Sequence, residues 1–120
     1  MEEGNERLDC REELLAITKR LVGIRSEVNT DGERVVAASI HGMLASHPYF
    51  EANPAQLVME PTVNDERKRY NVMAHVRGTK GNSRRTVVLM GHMDTVGVED
   101  FGAQQELAFR PDEWMAHLEG

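Results

Sequence analysis

Apolar positions in the first third of the chain recur at helical spacing. Leu14, Ile17, Leu21 and Ile24 form the stripe, and Leu15 and Val22 widen it. The pattern predicts a helix from about Leu8 to Ile24. Acidic residues crowd its start and Lys19, Arg20 and Arg25 lie towards its end, a polarity that suits the helix dipole. Gly23 and the polar run Ser26–Gly32 break the pattern. A second helix is predicted to follow a capping box, with Thr30 as N-cap and Glu33 three residues on. Val36, Ile40, Met43 and Leu44 line one face of that helix, and His47-Pro48 ends it.

The period then changes. Gln56–Val63 reads as a strand, weakened or placed at an edge by Pro61. Asn64–Lys68 is a polar turn. Tyr70–Arg77 alternates, with Val72, Ala74 and Val76 on one face, so the two segments predict an antiparallel or mixed-sheet unit. Gly78–Ser83 is a second turn. Thr86-Val87-Val88-Leu89-Met90 is a nearly continuous apolar run, which predicts a central strand buried on both faces. Glu99, Asp100 and Gly102 fall in a loop. Arg110-Pro111-Asp112-Glu113 opens a last helix that has barely begun by Gly120. Internal repeats and low-complexity segments are absent from the sequence.

Composition narrows the classes. The 120 residues are 40% apolar and 28% charged, with a net charge of −6. That is the balance of one soluble globular domain, and its acidity argues against nucleic acid as a partner. The single Cys10 excludes a disulfide framework and a cysteine-only zinc site. No apolar stretch approaches the ~18 residues of a membrane span. The acidic start lacks the apolar core of a signal peptide, so a cytoplasmic setting is expected.

Chemistry concentrates at Gly91-His92-Met93-Asp94-Thr95-Val96. A strand that delivers a His and an Asp to its C-terminal end puts them where sites form in open α/β sheets. A His can bind a divalent metal through one ring nitrogen. A carboxylate two residues on can accept the other N–H, fixing the tautomer and raising ligand basicity. Alone, His-x-Asp is a weak motif, and its plain reading is a solvated His with an Asp capping the next turn. His41, His47, His75 and His117 read as surface or structural histidines. Cys10, near a helix start where a thiol pKa can fall, reads as an inert half-buried residue. Asp65–Arg69 and Arg84-Arg85 read as solvated turns, and Met43, Met73, Met90 and Met93 as packing. Trp114, Met115 and Leu118 are expected to pack the last helix against a neighbour.

Leu89-Met90-Gly91-His92-Met93-Asp94-Thr95-Val96 resembles the first metal-site motif of the dinuclear zinc aminoacylase and carboxypeptidase G family. Succinyl-diaminopimelate desuccinylase and the di- and tripeptidases belong with that family. Leu21-Val22-Gly23-Ile24-Arg25-Ser26 is similar to the family's segment after the first helix, except that Arg25 stands where a Pro is usual. Gly32-Glu33 opens the second helix as in the family. His47-Pro48-Tyr49-Phe50, Asn53-Pro54 and Val98-Glu99-Asp100-Phe101-Gly102 resemble its arginine-utilisation branch. The likeness covers nearly the whole chain.

The resemblance implies a three-layer α/β/α zinc-peptidase-like catalytic domain with a mixed sheet, truncated at its C-terminal side. Residues 1–120 would be its N-terminal part. It implies His92 as a metal ligand and Asp94 as the catalytic-site Asp that orients it. Two divalent ions are implied, zinc first, with cobalt or manganese as alternatives. The reaction would be hydrolysis of an amide bond in a small peptide or N-acyl-amino acid, in arginine or amino-acid catabolism. Neither nucleic acid nor membrane is an expected partner, and a homodimer is left open. The family's bridging Asp, its Glu-Glu pair, a further acid and a distant His do not follow within this sequence, so the chain alone is expected to be inactive. The competing expectation is a non-catalytic scaffold of the same fold that binds a partner or dimerises. An unrelated metal hydrolase would leave the flanking matches unexplained.

Overall fold

The structure is a computed structural model, and it describes residues 9–120. The predicted helix start at Leu8 and the acidic leader lie outside the described residues. The chain is mixed α/β. Its helices are α1 (Arg11–Val22), α2 (Gly32–Ala45), α3 (Pro48–Ala52) and α4 (Pro111–Glu119), and its strands are β1 (Leu57–Pro61) and β2 (Tyr70–Ala74). Single 3-10 turns span Pro54–Gln56, and a broken 3-10 stretch covers Glu99–Phe109 with a kink at Gly102, where φ is 53°. Two compact units result. Arg25–Gly97 is one; the chain before it joins Val98–Gly120 in the other.

The core of Arg25–Gly97 is built by α2 lying across the β1–β2 hairpin. Antiparallel pairing sets Leu57 opposite Ala74, Met59 opposite Val72 and Pro61 opposite Tyr70. These residues share one face because strand side chains alternate. Two bonds outside the strands extend the ladder, His75 N–H to Gln56 O at 2.8 Å and Thr62 N–H to Arg69 O at 3.0 Å. Val36 and Ala37 of α2, Phe50 of α3 and Leu57 of β1 are buried. Burial of a side chain the size of Val, Leu or Phe contributes about 1.5–3 kcal/mol, so this cluster holds the helix to the hairpin. Pro61 stands opposite Tyr70, one residue before the bonded Thr62–Arg69 pair, so its nitrogen faces the outer edge and the missing N–H costs no ladder bond.

The capping geometry at α2 differs from the predicted box. Asp31 is the N-cap, and the Glu33 carboxylate accepts the Asn29 N–H at 2.9 Å, one residue before the expected Thr30. The Thr30 hydroxyl instead donates to Glu27 O at 2.6 Å and accepts the Gly32 N–H at 3.2 Å. The displacement follows from Asn29, which adopts φ 64° and turns its N–H towards the helix. Gly32 is required for close approach: a Cβ there would stand 1.5 Å from the Arg25 carbonyl oxygen.

The predicted strand at Thr86–Met90 does not form. The stretch carries no regular structure, and Val87, Val88, Leu89 and Met90 are 84%, 73%, 91% and 93% exposed. A strand needs neighbours on its edges to satisfy backbone N–H and C=O groups. Among the described residues the sheet has two strands, and both already pair with each other.

In the other unit, α4 packs on the broken 3-10 stretch. Trp114 meets Phe101 edge-on at 5.2 Å and stacks on His117 at 5.6 Å. Lys19 of α1 pairs with Asp112 of α4. No residue of α1 or α4 is buried, and Leu14, Leu15, Met115 and Leu118 are exposed. Cys10 is exposed, not half-buried as expected.

Candidate functional site

His92 and Asp94 stand together on the coil that leads out of the apolar run. His92 Nδ1 lies 2.8 Å from the Asp94 carbonyl oxygen and 3.2 Å from Asp94 Oδ1. Both oxygens accept and neither donates, so Nδ1 carries the proton in the neutral ring. The lone pair then resides on Nε2, the nitrogen the ring can offer a cation. The His92 side chain is 86% exposed and that of Asp94 39%, so the pair faces solvent.

Thr95 fixes this coil to the rest of its unit. It forms a parallel bridge with Glu27. Its N–H donates to Ser26 O at 2.9 Å, and its carbonyl accepts the Val28 N–H at 2.8 Å. Ser26 is 2% exposed, so the anchor is at the floor of the unit and the His92–Asp94 pair at its rim.

An open cleft of about 240 Å³ lies beside the pair, lined by Gly91, His92, Met93 and Asp94 on one side and by Glu33, Arg69, Tyr70 and Asn71 on the other, with Thr62. The far wall carries a charge network that sequence reasoning missed. Asp65, expected in a solvated turn, accepts from Arg69 Nε at 2.8 Å, from the Arg69 N–H at 2.9 Å and from the Thr62 hydroxyl at 2.6 Å. The Arg69 guanidinium and then the Thr62 hydroxyl hold the Asp65 carboxyl far below the usual carboxylate range. The same bond to Asp65 raises the Arg69 pKa further. Arg69 also reaches Glu33 Oε1 at 3.5 Å. The signal was present as Thr62, Asp65 and Arg69 at turn spacing, but an Asp–Arg pair four apart looks the same in a solvated loop.

His47, His75 and His117 make contacts away from the cleft. His47 Nδ1 accepts the Tyr49 N–H at 3.2 Å and so caps α3. His75 lies just past β2 with Nδ1 2.6 Å from Gln56 Oε1. His117 stacks on Trp114.

As a metal site the set is partial. One oriented imidazole and one adjacent carboxylate fit one arm of a divalent coordination shell. Among the described residues, no group of three or more His, Cys, Asp or Glu is arranged to hold a metal ion. No described helix is long and apolar enough to cross a membrane.

Comparison with known proteins gives two curated relatives. Protein RocB of Bacillus subtilis (strain 168) is 41% identical over 98 residues, which is 82% of this chain and 17% of RocB. A second protein of that organism, the uncharacterized protein YqjN, is 30% identical over 106 residues, 88% of this chain and 18% of YqjN. The chain therefore spans less than a fifth of the length of these relatives, 17% and 18%. No protein-family model matches the chain, and no solved structure does.

Proposed function

We propose that this chain is the N-terminal part of a zinc-dependent amide hydrolase acting on a small peptide or N-acyl-amino acid. We place it in the cytoplasm, in arginine or amino-acid catabolism. The observation that carries the reading is the His92–Asp94 pair: a tautomer set by Asp94 and an Nε2 lone pair left for a cation. The likeness of the sequence around it to the aminoacylase and carboxypeptidase G family supports the same reading. So does the short share of RocB that the chain covers, since the other ligands would come from elsewhere in a longer protein. In that protein the hairpin and α2 would belong to a three-layer catalytic domain.

His92 would hold one of two divalent ions through Nε2. Asp94 would keep the ring oriented and make it a better donor. When bound, the metal pair would polarise the amide carbonyl and supply a hydroxide at neutral pH. The cleft beside the pair is where the acyl-amino acid would lie.

The experiment is replacement of His92 and of Asp94 by Ala in the longest natural product that carries this chain, with N-acyl-amino acid hydrolysis as readout. His92→Ala should abolish turnover, and Asp94→Ala should lower it by about 10–100-fold, as loss of a ligand's orienting partner does. Unchanged hydrolysis in both variants overturns the assignment.

A second reading is favoured by the exposed run Val87–Met90. On it the chain is a non-catalytic scaffold that dimerises or binds a partner. Sedimentation of the 120-residue chain separates the two: a tight dimer supports the scaffold and a monomer does not.

A further inference from the structure

We propose that Glu33 and Arg69 are positioning residues for the His92–Asp94 pair, acting through the loop 26–29. The inference rests on the reading of His92 and Asp94 as site residues and adds a device that holds them.

Little holds the pair in place. The coil 86–94 has no ladder partner, and its anchor is Thr95, bonded on both sides of its peptide to Ser26 and Val28. Whatever fixes Ser26–Val28 therefore fixes the residue next to Asp94. That loop is pinned at Asn29, whose N–H goes to Glu33 Oε2 at 2.9 Å and whose carbonyl accepts from the Arg67 guanidinium. Thr30 closes the turn onto the Glu27 carbonyl through both its N–H and its hydroxyl.

Glu33 is 9% exposed at the first turn of α2. The helix dipole favours a carboxylate there. Arg69, across the cleft wall, supplies the countercharge. Arg69 cannot swing away, because Asp65 holds its Nε and its second guanidinium nitrogen at 2.8 and 3.3 Å. Removing Arg69 leaves a buried carboxylate without its partner, and such a group relaxes towards water or takes up a proton. The first response releases the Asn29 N–H and the second weakens its bond to a neutral acceptor, so either loosens the turn that carries Ser26 and Val28. The path runs from Asp65 through Arg69, Glu33 and Asn29 to the loop bonded to Thr95, and Arg69, Glu33 and Asp94 on it line the same cleft.

The readout is the His92 tautomer in the 120-residue chain, measured by long-range proton–nitrogen correlation NMR about two units above the ordinary histidine pKa of ~6.5. In the native chain the Nδ1–H form should predominate, because Asp94 holds that proton. An imidazole free in water prefers Nε2–H. Arg69→Met and Glu33→Ala should shift His92 from mostly Nδ1–H to mostly Nε2–H. Arg69→Lys, which keeps the charge, and Glu33→Gln, which keeps an acceptor for Asn29, should fall between. Val36→Ala is the control for destabilisation alone: its melting temperature should drop with the tautomer unchanged. If Arg69→Met loses its dispersed amide spectrum, the two conservative variants carry the test.

A native-like tautomer in folded Arg69→Met or Glu33→Ala overturns the proposal, as does an equal shift in Val36→Ala. Failure of the hydrolase reading shows elsewhere, as unchanged turnover of the longer protein without His92. The two failures are therefore distinguishable.

Discussion

Two largely apolar stretches of Arg25–Gly97 have opposite fates. Leu57–Pro61 is laddered along its length and buries Leu57 under α2. Val87–Met90 is bare on every residue. The richer apolar run is the exposed one. The difference lies in what each stretch finds beside it. β1 meets β2 through a short polar turn, locked by Asp65, and the hairpin then offers one face to α2. The run at 86–90 follows the Gly78–Ser83 turn and pairs with neither outer edge of the hairpin. Hydrophobicity makes a segment want burial; only a partner ladder satisfies its backbone.

The formed region is most vulnerable at the loop that supports it. Gly32→Ala would put a methyl group 1.5 Å from the Arg25 carbonyl oxygen, so the loop 25–29 must move. We expect a loss of about 4 kcal/mol or more, in the range of strained-backbone variants, read by urea unfolding. A tolerated Gly32→Ala would mean that the close approach is not kept in solution.

A matched pair of substitutions sharpens the contrast itself. Leu57→Ala should cost about 2–5 kcal/mol, as other buried leucines do. Leu89→Ala should change stability by less than about 0.5 kcal/mol, as exposed positions do. Equal costs would show that the run at 86–90 is buried after all.

A smaller effect concerns the turn that locks the hairpin. The folded state holds the Asp65 carboxyl below its ordinary 3.8, so it binds fewer protons than the unfolded chain in that range. The resulting stability is fully present above about pH 4 and is lost as pH falls from there towards the lowered value. Asp65→Asn should be less stable at neutral pH and decline less steeply below about pH 4 in thermal melts. A parallel decline in both proteins would remove Asp65 from the account.

Local pattern made much of this legible. The period of Leu14, Ile17 and Leu21 marks α1, and the strand expected over Gln56–Val63 with Pro61 inside it forms over Leu57–Pro61. Thr30 and Glu33 mark the start of α2 to within a residue. The alternation of Val72 and Ala74 places them on the face that meets Met59 and Leu57. His92 and Asp94 stood out by type and spacing, and they come within hydrogen-bond distance. Glu33 was legible as a cap but not as a buried ion partner, because Arg69 lies far along the chain. Asp65 looked like any turn aspartate. The run at 86–90 was misread because an apolar run reports a tendency and not the presence of neighbours. His47 was read as a helix stop and is the cap of the next helix, a role decided by the rotamer its ring adopts.

The central claim is that His92 is one arm of a metal centre completed by a longer protein. It is tested most directly by metal stoichiometry after dialysis, measured for the 120-residue chain, for the longest natural product, and for that product with His92→Ala. The account predicts no retained zinc in the first, two ions per chain in the second and a loss of at least one in the third. Stoichiometric zinc in the short chain, or full retention without His92, would contradict it.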